Sequence, residues 1–437
     1  MIIMKFGGTS IGNADTIKSV GNIVSSNLKK SPVVVVSAVS GITNMLVKIT
    51  DRLNSKNEAM EIVREIRKIH DKIINSLGIN KDIINGIFEE FVKIVRTNKK
   101  NSVEVTDIIS SYGERFSVRI VSAYLNSIGL FSDHYDAWEI GMITDESFGK
   151  AEPLSESYKK MSNVSKLNGI PIITGFIGKT VKGKVTTLGR GGSDYTAAII
   201  GSAINSEEIQ IWTDVNGIMS ADPKIVKNSK TIPIMSFEEA AELAYFGAKV
   251  LHPKTILPAV KKNIPVRVLN TFNPKASGTL IVKESKSNNK TIKAIACKKN
   301  ITVINIDSTR MLDAYGFLVR VFETFRQNKK SVDVVSTSEV SISLTIDNTN
   351  GLDNIVSELK EIADISYEGN KAIICVVGSG MKHTPGIAGR TFSVLGENRI
   401  NVDMISQGAS EINISFVVRN EDADNAVRLL HKEFFGV

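Results

Sequence analysis

An α/β fold with a largely parallel sheet, followed by two small α+β modules, is the architecture this sequence predicts. Three observations predict it. Short Val/Ile-rich runs alternate with longer helical patterns up to about residue 285, a polar stretch follows, and the remainder repeats itself. The strand runs cover residues 2–6, 32–39, 171–176, 209–213 and 265–269, and their continuous apolar content fits strands buried on both faces. Helices are expected over 14–28, 103–127 and 237–251. In the last of these Ala240, Leu243, Ala244 and Ala248 fall near helical spacing. Residues 54–101, rich in Ile, Lys and Glu with almost no Gly or Pro, read as a helical insert, and 283–290 (KESKSNNK) as a linker.

Beyond the linker, residues 316–346 can be laid on 386–416 without a gap, at an offset of 70 residues. Gly316/Gly386, Arg320/Arg390, Phe322/Phe392, Asn328/Asn398, Val332/Val402, Asp333/Asp403, Ser336/Ser406 and Ile342/Ile412 are identical. Each copy reads as a helix, an Asn-containing turn and two strands. Two copies of this length are too few for a solenoid and fit a pair of duplicated modules. The expected division is therefore 1–285, 291–365 and 370–437, with the C-terminal tail packing back on the first module.

Composition sets outer limits. The 437 residues need two or three domains, and 42% hydrophobic with 23% charged residues is a globular balance. The net charge of +8 is dispersed among acidic residues, which weighs against a nucleic-acid partner. Cys297 and Cys375 lie far apart with no metal-ligand spacing, so no metal site and no disulfide framework is expected. No apolar run approaches the roughly 20 residues of a membrane span, and the start, MIIMKFGGTS, lacks a basic signal region. A cytoplasmic protein without membrane partners is expected.

Several segments carry chemistry. Lys5-Phe6-Gly7-Gly8-Thr9-Ser10 follows a strand; paired glycines let backbone amides approach a ligand, and a mobile Lys suits phosphate oxygens. Ser37–Asn44 (SAVSGITN) places small hydroxyl residues and a glycine after the next strand, at the carboxyl edge where open sheets bind ligands. In Gly189-Arg190-Gly191-Gly192-Ser193-Asp194 an Arg flanked by glycines can grip a carboxylate with two parallel bonds, and Ser193 or Asp194 can cap the helix that follows. Residues 211–218 (IWTDVNGI) make a strand and turn. In 246–253 (FGAKVLHP), Lys249 closes a helix, and His252 before a proline reads as structural. No Walker-type phosphate loop, protein-kinase signature or nucleophile elbow is present.

Taken together and in this order, KFGGTS, SYGERFS (111–117), GRGGSD, WTDVNGI and GAKVLHP, with the duplicated C-terminal module, resemble the amino-acid kinase family and within it the aspartokinases. The resemblance covers nearly the whole chain. It implies a three-layer sandwich with a largely parallel central sheet, followed by two ferredoxin-like ACT modules. It also implies ATP-dependent phosphorylation of the β-carboxylate of L-aspartate, with Mg²⁺ held mainly by the nucleotide phosphates. Carried over by motif, Lys5, Arg190 and Asp194 are catalytic, and Thr43, Glu114, Arg190 and Ser193 hold aspartate. Lys5, Phe6, Gly7, Gly8, Thr213, Asp214, Met219, Lys224 and Lys249 form the ATP site. The stretch 331–341 resembles the inhibitor-binding segment of lysine-sensitive relatives, so Met311, Phe317, Leu318, Ser331, Val332, Asp333, Ser338 and Glu339 are expected to bind lysine. Acidic side chains there suit its ammonium groups. Pairing of the ACT modules implies a homodimer or homotetramer. Three positions depart from the family pattern: Met219 replaces an aromatic residue, Lys224 an Arg and Ala314 a Ser. A kinase for glutamate, acetylglutamate or carbamate is the nearest rival, and SYGERFS and the tandem modules weigh against it.

Overall fold

The structure, a computed structural model, describes residues 1–246, 251–284, 291–311, 315–408 and 412–436. It divides into two compact units. The first contains Met1–Ile218, Pro233–Phe237 and Val250–Ser285; the second contains Met219–Ile232, Glu238–Lys249 and Lys286–Val437. The segment 1–285 read from the sequence is thus interrupted twice. Part of the reason is visible in the first excursion: Ala221 and Val226 are buried in an apolar cluster with Ile292, Ile295 and Ile374 of the second unit.

In the first unit the chain runs β1 (Ile2–Phe6), α1 (Ala14–Ser26), β2 (Pro32–Val36), α2 (Ile42–Asp51), α3 (Lys56–Leu77), α4 (Asn85–Thr97) and α5 (Val103–Ser127). It continues through β3 (Ser132–Tyr135), β4 (Ile143–Thr144), α6 (Ser155–Met161), β5 (Ile170–Thr174), β6 (Ile177–Thr180), β7 (Val185–Thr187), α7 (Gly192–Ala203) and β8 (Glu208–Thr213). After the first excursion come β9 (Ile234–Ser236) and the start of α8 (Phe237–Tyr245), then α9 (Leu257–Lys261), β10 (Val266–Asn270) and β11 (Thr279–Val282). The main sheet has the order β3-β5-β2-β1-β8-β10-β11-β9, and a small sheet joins β4, β6 and β7. Every pairing in the main sheet is parallel except β10 with β11. Phe6 pairs with Val36 on one side and Trp212 on the other, while Val36 pairs with Thr174. Four neighbouring strands therefore end level, and their outgoing loops meet along one edge.

Alternation along β1 sends Ile2, Met4 and Phe6 into one cluster with Ile17 and Val20 of α1, Leu46 of α2, Ile66 of α3 and Phe116 of α5. Capping starts these helices where the sequence allows it. Asn13 and Thr16 form a reciprocal capping box on α1, and the Ser102 hydroxyl accepts from Val105 N–H on α5. Gly78 in a left-handed conformation ends α3. The expected insert is real: α3, α4 and a short 3₁₀ turn wrap around α5.

The second unit is built on one antiparallel sheet. After β12 (Ala294–Asp307) come α10 (Phe317–Gln327), β13 (Val335–Thr337), β14 (Ser341–Ile346), α11 (Leu352–Leu359), β15 (Asp364–Val377), α12 (Ile387–Glu397), β16 (Met404–Ser406), β17 (Asn413–Arg419) and α13 (Ala423–Phe435). The order is β13-β14-β12-β15-β17-β16. β12 and β15 are each 14 residues long and pair along most of their length, with register irregularities around Ile301. Asn300 and Asn370, at the same 70-residue offset, both take positive φ near the centre of these strands. One end of the pair joins β14, α10 and α11 around Ile304, Phe317 and Leu344; the other joins β17, α12 and α13 around Ile295, Ile374 and Phe416. The boundary read at 365–370 therefore lies inside a continuous strand, and the half built from 371–436 also takes in 292–297, from before the first repeat. The C-terminal helix α13 packs in the half that contains Ile292 and Ile295.

His70 sits wholly buried in α3, edge-on to Phe116 at 5.1 Å. Its Nδ1 must donate to the Ile66 carbonyl at 2.7 Å, and Nε2 has no partner. Burial lowers its pKa to about 4, so the folded protein refuses a proton that the unfolded chain accepts below its ordinary value near 6.5. Stability should consequently fall as pH drops from 6.5 towards 4, with up to about 3 kcal/mol at stake. Urea unfolding at pH 7 and pH 4.5 should show this loss in the natural protein and a smaller one in His70→Leu. Equal losses would assign the titration to other groups.

Candidate active site

Four loops and three helices converge on a cleft of about 530 Å³ lined by Lys5, Gly8, residues 37–41, Thr43, Glu114, Phe176 and residues 189–194. Its floor is the end of β1. The Lys5 ammonium, at the last inward-facing position before the glycine turn, forms an ion pair of 2.6 Å with Asp194 of α7, each side chain being 12% exposed. Asp194 thus serves Lys5 and not the helix it begins. The N-cap of α7 is Gly191, with no side-chain cap, so the capping expected of Ser193 or Asp194 is not what these residues do. Ser193 faces the cleft beside Asp194.

The first two loops are locked together. Ser37 N–H donates to Phe6 O at 3.1 Å and Ser40 N–H to Gly8 O at 3.2 Å. Ala38 is squeezed between them and α5. A β-carbon on Gly8 would come within 2.8 Å of Ala38 O, and one on Gly113 within 2.7 Å of Ala38 Cβ. These contacts explain a glycine in the KFGGTS and SYGERFS motifs by space alone. The Gly8 amide has no acceptor among the described residues and lies on the cleft. Phe6 does not line it; its ring is buried and stacked on Trp212 at 5.9 Å, leaving only backbone to face a ligand.

Close packing at Gly113 brings Glu114 to the cleft. Its Oε1 accepts from Ala38 N–H at 3.0 Å, while Oε2 is buried with no partner. Desolvation pushes its pKa up to about 8, opposed by the Ala38 bond and by Lys5. Arg190, by contrast, is exposed and forms no ion pair with a described carboxylate. Its loop turns through Gly191 at φ +73°, where a β-carbon would also strike Thr255 at 2.8 Å. Thr255 is fixed by bonds from its N–H and hydroxyl to the His252 carbonyl. His252 is therefore a support for the arginine loop, as its place before Pro253 suggested. Burial, Lys254 and Arg190 hold its pKa down.

The remaining expected residues separate into groups. Thr213 ends β8 and Asp214 follows it, the two linked by a 3.2 Å hydroxyl–carboxylate bond. Met219 and Lys224 belong to the second unit; Met219 accepts from the Thr231 hydroxyl, and Lys224 is exposed after an Asp222 turn. Lys249 and Ala314 lie outside the described residues. Among the sensor candidates, Met311, Phe317 and Val332 share one apolar cluster. Asp333 is held by Lys298 at 2.6 Å and by the Tyr245 hydroxyl at 2.8 Å. Leu318, Ser331, Ser338 and Glu339 are exposed, with Ser338 bonded to Ser341.

Two residues at or near the cleft escaped the sequence reading. Phe176 lines it at φ +68°, an uncommon conformation for an aromatic residue; the only signal was its place between Gly175 and Gly178. Asp107 lies behind the arginine loop and carried no signal beyond its spacing from Glu114.

Residues 1–270 match the amino acid kinase family and residues 374–434 an ACT domain. The chain is 41% identical to aspartokinase 2, chloroplastic, of Arabidopsis thaliana, over 99% of its own length and 84% of that protein. It is 35% identical to lysine-sensitive aspartokinase 3 of Escherichia coli strain K12, covering 100% and 99%. Among solved structures, E. coli aspartokinase III in complex with aspartate and ADP matches with a TM-score of 0.86 at 35% identity, both chains covered in full. The same enzyme with lysine and aspartate gives 0.83 at 36% identity, covering 100% and 99%.

The environment of Glu114 is directly measurable. In the empty protein its carboxyl signal, followed by NMR with labelled glutamate, should titrate near pH 8, and Lys5→Met should move the midpoint higher because Lys5 favours the charged form. A midpoint near 4.5 would mean that water reaches the group.

Proposed function

Since the chain belongs to the amino acid kinase family and within it to the aspartokinases, we infer that it transfers the γ-phosphoryl group of ATP to the β-carboxylate of L-aspartate, under feedback by an end-product amino acid. The observation that carries the substrate assignment is the buried, unpartnered oxygen of Glu114 in a cleft that also presents Arg190 and the Lys5–Asp194 pair. An α-amino acid with a second carboxylate fits that set. Its ammonium meets Glu114, its α-carboxylate takes the Arg190 fork, and its β-carboxylate is left facing Lys5. Thr43 and Ser193 supply hydroxyls on opposite sides.

The β-carboxylate is ionised at neutral pH, so the reaction requires no general base. One of its oxygens attacks the γ-phosphorus as the bond to the ADP oxygen breaks. Lys5, held in place by Asp194, and the Gly8 amide face the phosphoryl oxygens and offset the charge that two approaching anions accumulate. Mg²⁺, held mainly by the nucleotide phosphates, would supply further neutralisation there. Phe6 and Gly7 by backbone, with Thr213, Asp214 and Lys249, complete the nucleotide site on the strength of their motifs, and Met219 and Lys224 join it by position although they depart from the family pattern.

Glu114 must be ionised to hold an ammonium, and in the empty cleft it is largely protonated below pH 8. Binding at neutral pH therefore releases a proton, and aspartate binds more tightly as pH rises through that value.

The effector is lysine, bound around Met311, Phe317, Val332 and Asp333, with Leu318, Ser331, Ser338 and Glu339 at the rim. An acidic group already holding the ammonium of Lys298 is chemically suited to a second one. Assembly is through this unit as a homodimer or homotetramer, supported by the outward Leu318, Val319 and Phe322 of α10. We place the enzyme in the cytoplasm; no helix among the described residues is long and apolar enough to cross a membrane.

ADP release measured with aspartate as the varied substrate, with and without lysine, tests the whole reading. Aspartate-dependent turnover suppressed by lysine is expected, and its complete absence would refute the assignment. Lys5→Ala should lower turnover by at least ~100-fold, the scale of losing one preorganised donor. Asp333→Asn should raise the lysine concentration for half-inhibition by about 10-fold or more. Unchanged inhibition would remove Asp333 from the sensor.

A further inference from the structure

Asp107 touches no expected ligand, yet it is 1% exposed and accepts three hydrogen bonds. Gly149 N–H and Thr187 N–H donate to Oδ2 at 2.8 and 2.9 Å, and the Thr187 hydroxyl donates to Oδ1 at 2.7 Å. No Lys or Arg forms an ion pair with it among the described residues. Burial raises its pKa and the three donors oppose that shift.

The location of the donors gives this arrangement its meaning. Thr187 is the last residue of β7, three positions before Arg190. Gly149 supports the same loop from the other side: its carbonyl lies 3.1 Å from where a β-carbon on Gly189 would be, and Ala151 N–H donates to Thr187 O at 2.9 Å. Asp107 itself lies on α5, seven residues before Glu114. Two turns of helix place the two carboxylates on one face, about 10 Å apart along the axis. One rigid helix therefore carries Glu114 directly and grips, through Asp107, the strand end from which the Arg190 loop springs and the Gly149 segment packed against that loop.

We infer that Asp107 is a positioning residue that sets the spacing between Glu114 and Arg190, and with it the length of amino acid the cleft selects. The inference rests on the reading that Glu114 holds the ammonium and Arg190 the α-carboxylate of the substrate. Two carboxylate oxygens satisfy three donors here. An amide can still take the two N–H groups on its one oxygen but meets the Thr187 hydroxyl only as a donor, and it carries no charge, so three charge-assisted bonds become weaker neutral ones. Asp107→Asn thus preserves size while weakening the grip.

The test uses the full chain and compares Asp107→Asn with the natural protein in three quantities: KM for aspartate, KM for ATP, and the inhibition constant of L-glutamate, one carbon longer, against aspartate. The aspartate KM should rise about 10-fold or more. The ratio of the glutamate constant to the aspartate KM should shift at least about 5-fold towards glutamate, with the ATP KM within about 2-fold. Thr187→Val, which deletes the hydroxyl bond and keeps the backbone ones, should shift the ratio the same way by less, and Thr187→Ser should restore it. If Asp107→Asn does not fold, Thr187→Val decides. A lowered melting temperature with an unchanged ratio overturns the inference, leaving Asp107 a structural staple. Glu114→Gln is the control. If it raises the aspartate KM while the Asp107 and Thr187 variants keep their selectivity, the inference alone falls. If Glu114→Gln is also without effect, the substrate reading falls and takes the inference with it.

Discussion

Two negatively charged reactants have to meet in the cleft, and the Lys5–Asp194 ion pair is what the surrounding structure is arranged to keep. Burying both partners costs several kcal/mol each, and their attraction offsets that only when geometry is well fixed. Here it is fixed from both sides: Lys5 stands in the central strand β1, and Asp194 in the first turn of α7. Paired with Asp194, Lys5 retains N–H groups that the carboxylate does not use. The level ends of the neighbouring strands, the glycine turns and the close approach of α5 follow from the need to bring other groups to that point without opening it to water.

Glu114 shows the opposite solution to burial. It has no cation, only one backbone donor, and its second oxygen is left unsatisfied. An unpaired buried oxygen of this kind destabilises the empty protein. On the proposed reading, local stability is given up here for ligand complementarity. The pair and the unpaired acid then divide the work, one fixing a charge in advance and the other meeting the ammonium of the substrate.

Much of this was legible in the sequence, because the site is made from short motifs at strand ends. Lys5, Gly8, Thr43, Glu114, Arg190, Ser193 and Asp194 were each nameable, and all of them line one cleft. What was not legible depends on long-range geometry. Capping propensity suggested that Ser193 or Asp194 would close its own helix, but an ion pair to a strand nearly 190 residues away in sequence is the stronger interaction. Phe176 was invisible because a left-handed aromatic has no sequence signature. The repeats were found from matching residues, yet internal similarity says nothing of which copy supplies a strand to which half. β12 and β15 therefore came as a surprise, as did the excursion at 219–232, whose few apolar residues gave no hint of which core would take them.

The shared strands bear on how the chain is made. Residues 294–299 pair with 372–377 and not with their nearer neighbours, so on a ribosome they emerge well before their partner exists. At ordinary elongation rates of ~5–20 residues per second the wait is roughly 4–17 s, long compared with hairpin formation in microseconds. Within that interval 301–307 can already pair with 341–346, whereas the third inner strand, 364–368, emerges only just ahead of 372–377. The nascent unit is until then a partly built sheet with unsatisfied strand edges, the form of polypeptide on which chaperones act.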